Sequence, residues 1–100
     1  MTSSSDRTPD LADIRVQLDA LDRQLVQILA ERSRLVSQVI EYKRARSMKV
    51  VDRQREDDML AHIEIVAQEA GLDPRIARSV LSAIIDAFTI LEVEQLGPDS

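Results

Sequence analysis

A single long apolar period covers residues 11–42 and limits what this chain can fold into. At position 32, where the period calls for another aliphatic side chain, the chain has Arg32. An arginine inside an apolar seam is costly unless an anion meets it there, so we predict a ligand site at Arg32. The apolar residues alternate at intervals of three and four, the spacing of a helix that packs along one seam: Leu11, Ile14, Leu18, Leu21, Leu25, Ile28, Leu35 and Val39.

The helix that this period predicts starts at Thr8 and Pro9 and runs to about Arg46. Thr8 is its expected cap, Pro9 its first residue, and Asp10 lies near the positive end of its dipole. About 37 residues rising 1.5 Å each span about 55 Å, which is longer than a domain of this size is wide. The helix must therefore pack against a second chain, or against the rest of its own chain along most of its length.

Two shorter helices follow a loop at residues 47–51. Asp52 is placed to cap a helix over about residues 53–70, and Gly71 is the expected left-handed residue at its end. Asp73 and Pro74 then open a third helix that runs to about Leu96 and stops at residues 97–98. We predict an all-α fold of three helices in one domain over residues 10–97, with disordered ends at residues 1–9 and 99–100.

The amino-acid composition supports the predicted helices and argues against several classes of function. The 100 residues are 44% hydrophobic but include one Tyr, one Phe, no Trp and no Cys, which favours helices and excludes disulfides and thiolate metal sites. A formal net charge of −5 argues against nucleic acid as the main partner. The polar N-terminus and the lack of a long apolar run argue against a signal peptide and a membrane span, so we expect a cytoplasmic protein.

Three cations lie along the long helix. Arg15 and Lys43 are 28 residues apart, which is four heptads, and Arg32 lies near the line that joins them. Snorkelling beside the seam is an alternative explanation for Arg15 and Lys43. These two are about 42 Å apart on one helix, so they cannot hold one small ligand within a single chain. An antiparallel pair of helices crossing near Leu25 would bring Arg15 of one chain to the Arg32–Lys43 half of the other, in a homodimer with two shared sites.

Three carboxylates occupy unusual positions on the shorter helices. Glu56 lies on the apolar side of the second helix, although its place in the first turn also suits the helix dipole. Asp52 is first of all a helix cap. Glu92 follows Phe88 by one turn on the apolar side of the third helix, where burial favours a protonated carboxyl. His62 has no second histidine and no cysteine to complete a metal set, so we predict no metal site.

Taken together, these residues resemble the all-helical class of chorismate mutases. The resemblance extends over about residues 11–96, and its elements come in order: IR at 14–15, LDALD at 18–22, LAER at 29–32, YK at 42–43, DRQRE at 52–56 and GLDP at 71–74. It implies an intertwined dimer of three-helix chains that converts chorismate to prephenate in the shikimate pathway towards aromatic amino acids. That pericyclic reaction requires a dicarboxylate held in a near-attack conformation and needs no nucleophile, metal or cofactor.

The resemblance also implies a role for each candidate residue. Arg15 of a second chain and Arg32 resemble the arginines that bind the two substrate carboxylates, for which a bidentate guanidinium is suited. Lys43 resembles the lysine that donates to the ether oxygen and to a carboxylate. The expected catalytic residues are Lys43, Arg32 and Glu92. The remaining substrate-binding residues are Asp52 and Glu56 at the ring hydroxyl, Arg55 at the carboxylate end, and Phe88.

Two positions depart from the usual pattern of the family. Phe88 stands where a serine is common, and Glu92 where a glutamine often donates to the ether oxygen. An ionised Glu92 cannot donate a hydrogen bond, so it must be protonated to help in that way. Phe88 suits a related isochorismate-pyruvate lyase, although the lyase pattern lacks the carboxylates at positions 52 and 56.

Two further readings stay open. In a 4-amino-4-deoxychorismate mutase, a C4 ammonium would pair well with Asp52 or Glu56. A helical dimerisation or regulatory module would keep the fold without catalysis, but such a module is expected to carry an aliphatic residue at position 32.

Overall fold

The computed structural model describes residues 10–97, and three helices make up nearly all of that range. They are α1 (Leu11–Arg46), α2 (Arg53–Ala70) and α3 (Pro74–Leu96). Residues 10–97 contain no strand, so the predicted all-α class and the predicted number of helices are confirmed for this part of the chain. None of the three helices is long and apolar enough to cross a membrane.

The start of α1 differs slightly from the prediction. The backbone N–H of Ile14 donates to the Asp10 carbonyl at 3.1 Å, so Asp10 is the last residue before the helix and not part of its first turn. The carbonyl of a capping residue accepts the first bond inside a helix in this way. The predicted cap Thr8 and the predicted first residue Pro9 lie outside the described residues, as do the segments predicted to be disordered.

The predicted caps of α2 and α3 are confirmed. The Asp52 side chain accepts from the Arg55 backbone N–H at 3.0 Å, and Gly71 ends α2 with φ 78°, a conformation that only glycine adopts without cost. Asp73 caps α3, whose first residue is Pro74. These local signals fix both ends of α2 and the beginning of α3.

The cap of α3 carries an acid-sensitive interaction. The Arg75 guanidinium and the Arg75 backbone N–H both donate to Asp73 and lower the pKa of its carboxyl. A folded-state pKa below the unfolded value means that the contribution to stability is present above the unfolded pKa and is lost as pH falls through the folded pKa. We expect unfolding in urea to show a larger loss of stability between neutral and acid pH for the unaltered chain than for Asp73→Asn. Asparagine caps a helix equally well but does not titrate, so equal losses would contradict this assignment.

Residues 10–35 and residues 36–97 form two separate compact units. In the second unit, α2 packs along α3, and the end of α1 contributes Ile40, which is 1% exposed. The other buried apolar residues are Val50, Ala67, Ala77 and Ile85. The core that supports the candidate site therefore lies between the end of α1, the loop after it, and the two shorter helices.

The apolar seam of α1 is not the face that this core buries. Ile40 is buried, whereas the seam residue Val39 beside it is exposed. Successive residues lie about 100° apart around a helix, so the buried face and the seam are different sides of α1. Upstream, Leu25, Ile28 and Leu35 are each between 55% and 60% exposed within the single chain. Within residues 10–97, these seam residues are thus left exposed by the single chain.

Candidate functional site

Lys43 lies in the last turns of α1, and its side chain is only 14% exposed. Its ammonium group donates to the Val50 carbonyl at 2.7 Å and to Oε1 of Glu92 at 3.3 Å. An ammonium group has three N–H bonds. These two contacts engage two of them and fix the side chain, so the third can be directed at a ligand without changing the first two.

Glu92 is the buried charged residue of α3, and its partner is Lys43. The sequence placed Glu92 correctly on the buried side of α3 but did not predict this ion pair. The pair supplies the carboxylate with a countercharge inside a largely dry environment, where an unpaired carboxylate is costly. Phe88 is half-buried and lies one helical turn before Glu92 on α3, so it lies on the same side of the helix as the ion pair.

The two acidic candidates of α2 lie in its first turn. Asp52 is two residues after Val50, so its backbone is within about 7 Å of the residue that binds Lys43. The Glu56 side chain is 24% exposed, and its carboxylate lies 4.0 Å from the Arg53 guanidinium. Glu56 therefore remains open to solvent on one side. Arg55 is exposed on the same turn.

Arg15 and Arg32 belong to the first unit. Arg15 is exposed. Arg32 is half-buried, whereas its neighbours in the seam, Ile28 and Leu35, are each 60% exposed. Lys43 lies eleven residues after Arg32 in the sequence of α1 and belongs to the second unit.

Sequence reasoning missed the contacts that hold Lys43 in place. Val50 was predicted only as part of the loop that interrupts the apolar period. Its carbonyl nevertheless makes the shortest hydrogen bond of the Lys43 ammonium. Arg44 also donates to the Gln95 carbonyl of α3 at 3.4 Å, and this joins the ends of α1 and α3. A backbone carbonyl has no sequence signature. The one available signal was that the loop at residues 47–51 contains three apolar residues, Met48, Val50 and Val51.

The geometry can serve anion recognition and charge stabilisation. A fixed, partly desolvated ammonium group stabilises negative charge that develops on a nearby oxygen far better than a mobile one in water. Within residues 10–97, His, Cys, Asp and Glu side chains form no group of three or more that could hold a metal ion.

Asp52 caps α2, and substitution can separate this role from the ligand binding that the sequence predicts for it. Asparagine caps helices as well as aspartate does, whereas alanine does not, at a cost of about 1 kcal/mol. We expect Asp52→Ala to lower the free energy of unfolding by about that amount and Asp52→Asn to leave it nearly unchanged. If the carboxylate binds ligand, both variants should raise KM for a ligand with a ring hydroxyl. A normal KM in Asp52→Asn would leave Asp52 as a cap alone.

Comparison with known proteins identifies a protein family that the chain matches and two relatives that it is similar to. The family model for chorismate mutase type II matches residues 14–93. The T-protein of Haemophilus influenzae is 37% identical over 71 residues, which are 71% of this chain but 19% of that protein. The chorismate mutase of Methanocaldococcus jannaschii is 27% identical over 86 residues, which are 86% of this chain and 87% of that protein. The chain thus spans about a fifth of the first relative and most of the second.

Proposed function

The chain belongs to the chorismate mutase type II family, and from that premise we propose that it is an isomerase that converts chorismate to prephenate. The observation that carries the proposal is the Lys43 ammonium, fixed by the Val50 carbonyl and Glu92 within the matched residues. The M. jannaschii chorismate mutase, of which the matched region covers 87%, supports the same activity. We place the reaction in the shikimate pathway that leads to aromatic amino acids.

The reaction is an intramolecular rearrangement in which an ether C–O bond breaks as a C–C bond forms. The protein has to hold the substrate in the reactive conformation and to stabilise charge on the ether oxygen. We assign the second task to the third N–H of Lys43. Arg32 is suited to a bidentate contact with a substrate carboxylate.

We infer that a second copy of the chain completes the site. Three features support this: the length of α1, the apolar seam that the single chain leaves exposed, and the position of Arg15 at the far end of that helix. In an antiparallel dimer, Arg15 of the second chain would supply the other carboxylate contact. A stable, active monomer in sedimentation experiments would overturn this part of the proposal.

We assign binding of the substrate's C4 substituent to the acidic residues at the start of α2. Glu56 is partly exposed and Asp52 follows the Lys43-binding loop, so both can accept from a C4 hydroxyl. Arg55, exposed on the same turn, assists at the carboxylate end, and Phe88 lines the site beside Glu92. The same carboxylates would also suit a C4 ammonium, which keeps 4-amino-4-deoxychorismate as the second candidate substrate.

One experiment separates the candidate functions. The purified protein is incubated separately with chorismate, 4-amino-4-deoxychorismate and isochorismate, and the loss of each is followed together with its product. We expect chorismate to be consumed fastest and prephenate to form. Preference for the amino compound or for isochorismate would replace the proposed substrate, and consumption of none of the three would favour a dimerisation or regulatory module.

Glu92 can be tested by removing its charge while keeping its size. A carboxylate cannot donate to the ether oxygen, whereas an amide can. We therefore expect Glu92→Gln to keep mutase activity, because the amide oxygen can still accept from the Lys43 ammonium and the amide N–H can donate to the ether oxygen. The measurement is kcat for this variant, with Glu94→Gln as a control on the exposed side of α3. A large loss of kcat in Glu92→Gln alone would show that the carboxylate is needed as the countercharge of Lys43.

A further inference from the structure

The end of α1 has an unusual residue in the left-handed conformation. Ser47 has φ 53°, and it is the one non-glycine residue with positive φ among residues 10–97. The Met48 N–H donates to the Lys43 carbonyl at 3.0 Å, and the Ser47 N–H donates to the Arg44 carbonyl at 3.4 Å. This pair of bonds is the Schellman motif, in which glycine is the usual left-handed residue. A serine there carries a conformational cost that glycine does not.

The turn at Ser47 determines where the Val50 carbonyl lies. If α1 continued as a helix, Val50 would be about 10 Å further along the axis than Lys43 and out of hydrogen-bonding reach. Because the chain instead reverses at Ser47, the Val50 carbonyl returns to the Lys43 ammonium at 2.7 Å. Val50 is itself 5% exposed, so the carbonyl and the ammonium meet in a place largely closed to water.

We propose that Ser47 is a positioning residue for the reaction: its left-handed turn returns the Val50 carbonyl to Lys43 and so aims the third N–H of that ammonium at the substrate. The inference rests on the proposed function for the role of Lys43, but the turn itself can be tested without activity. Ser47 acts through Val50 and Lys43 and does not touch the substrate.

Selective acylation provides the test that does not need turnover. The chain contains two lysines, Lys43 and Lys49, and Lys49 is exposed, so it serves as an internal reference. The protein is treated briefly with acetic anhydride, and the ratio of acylation at the two lysines is measured by mass spectrometry. We expect Ser47→Val to raise the Lys43:Lys49 ratio about fivefold, since a β-branched residue strongly disfavours the left-handed conformation. Ser47→Gly and Ser47→Asn, which tolerate it, should keep the ratio of the unaltered chain.

Kinetics with the same variants test the positioning role. We expect kcat of Ser47→Val, per folded molecule, to fall by about the same fivefold with little change in KM, because misplacing a group that acts in the transition state lowers kcat and kcat/KM together. Ser47→Gly and Ser47→Asn should keep the kcat of the unaltered chain. Ser79→Val, the same change at an exposed position in α3, controls for a general effect of a surface valine.

The outcomes separate this inference from the proposed function. An unchanged acylation ratio in Ser47→Val would overturn the inference whatever the activity, and so would a higher ratio with full kcat. If the unaltered chain turns over no substrate, the proposed function fails while the acylation result still decides the role of the turn at Lys43. If Ser47→Val does not fold, hydrogen exchange of the Met48 amide in the unaltered chain decides: protection comparable to that in the middle of α1 supports the turn, and free exchange overturns it.

Discussion

Replacing Lys43 with methionine is expected to lower kcat about 10²- to 10³-fold, the loss typical when one donor to a developing oxyanion is removed. Methionine keeps an unbranched side chain of similar length but carries neither charge nor N–H. Because Lys43 would act mainly in the transition state, kcat and kcat/KM should fall together. The measurement is steady-state kinetics on chorismate.

Two control variants isolate the chemical role of Lys43 from its structural role. Lys49→Met makes the same change at an exposed lysine six residues away and should keep full activity. Lys43→Met also leaves the Glu92 carboxylate without its countercharge in a nearly buried place, which costs stability. Lys43→Met combined with Glu92→Gln should therefore recover stability without recovering kcat. If the double variant regained activity, Lys43 would serve only to neutralise Glu92.

Replacing Leu25 with aspartate is expected to separate the proposed dimer and abolish activity. Leu25 lies at the middle of the apolar seam and is 55% exposed in the single chain. Across a two-fold axis near this position, the change would place two carboxylates against each other and against leucines, which is strongly unfavourable in a desolvated interface. Sedimentation velocity should show a shift from dimer to monomer at micromolar concentration, and activity should be lost in parallel.

Gln24→Asp is the matched control for this prediction. It introduces the same charge at the preceding residue, which lies about 100° away around α1 and is polar in the unaltered chain. We expect this variant to remain dimeric and active. A Leu25→Asp chain that stays fully active as a monomer would show that Arg15 of a second chain is not needed.

Much of the fold follows from local signals that the sequence carries in plain form. Asp52, Gly71 and the pair Asp73 and Pro74 mark the ends of α2 and the start of α3, because caps and left-handed turns depend on a few neighbouring atoms. The apolar residues that recur at alternating intervals of three and four predicted the helix α1, which ends at Arg46. The same period identified Arg32 as a misplaced charge, and this led to the candidate site.

The contacts that shape the site depend on which distant residues meet. Lys43 and Glu92 are 49 residues apart, and their pairing requires α1 and α3 to converge at their last turns. The Val50 carbonyl is a backbone group, so no residue type in the sequence indicates its contact with Lys43. A left-handed conformation at Ser47 is also not predicted from the sequence, because glycine is the usual residue there.

The sequence by itself therefore determined the three helices, all of their ends except the start of α1, the apolar seam and the charged residues that interrupt the apolar faces, because each depends on neighbouring residues or on spacing along one helix. Only the tertiary structure decided that Ile40, rather than the seam beside it, enters the core of the chain, and that Lys43 is held between a loop carbonyl and Glu92. The physical reason is that burial and ion pairing depend on the relative placement of separate elements, which local periodicity does not encode.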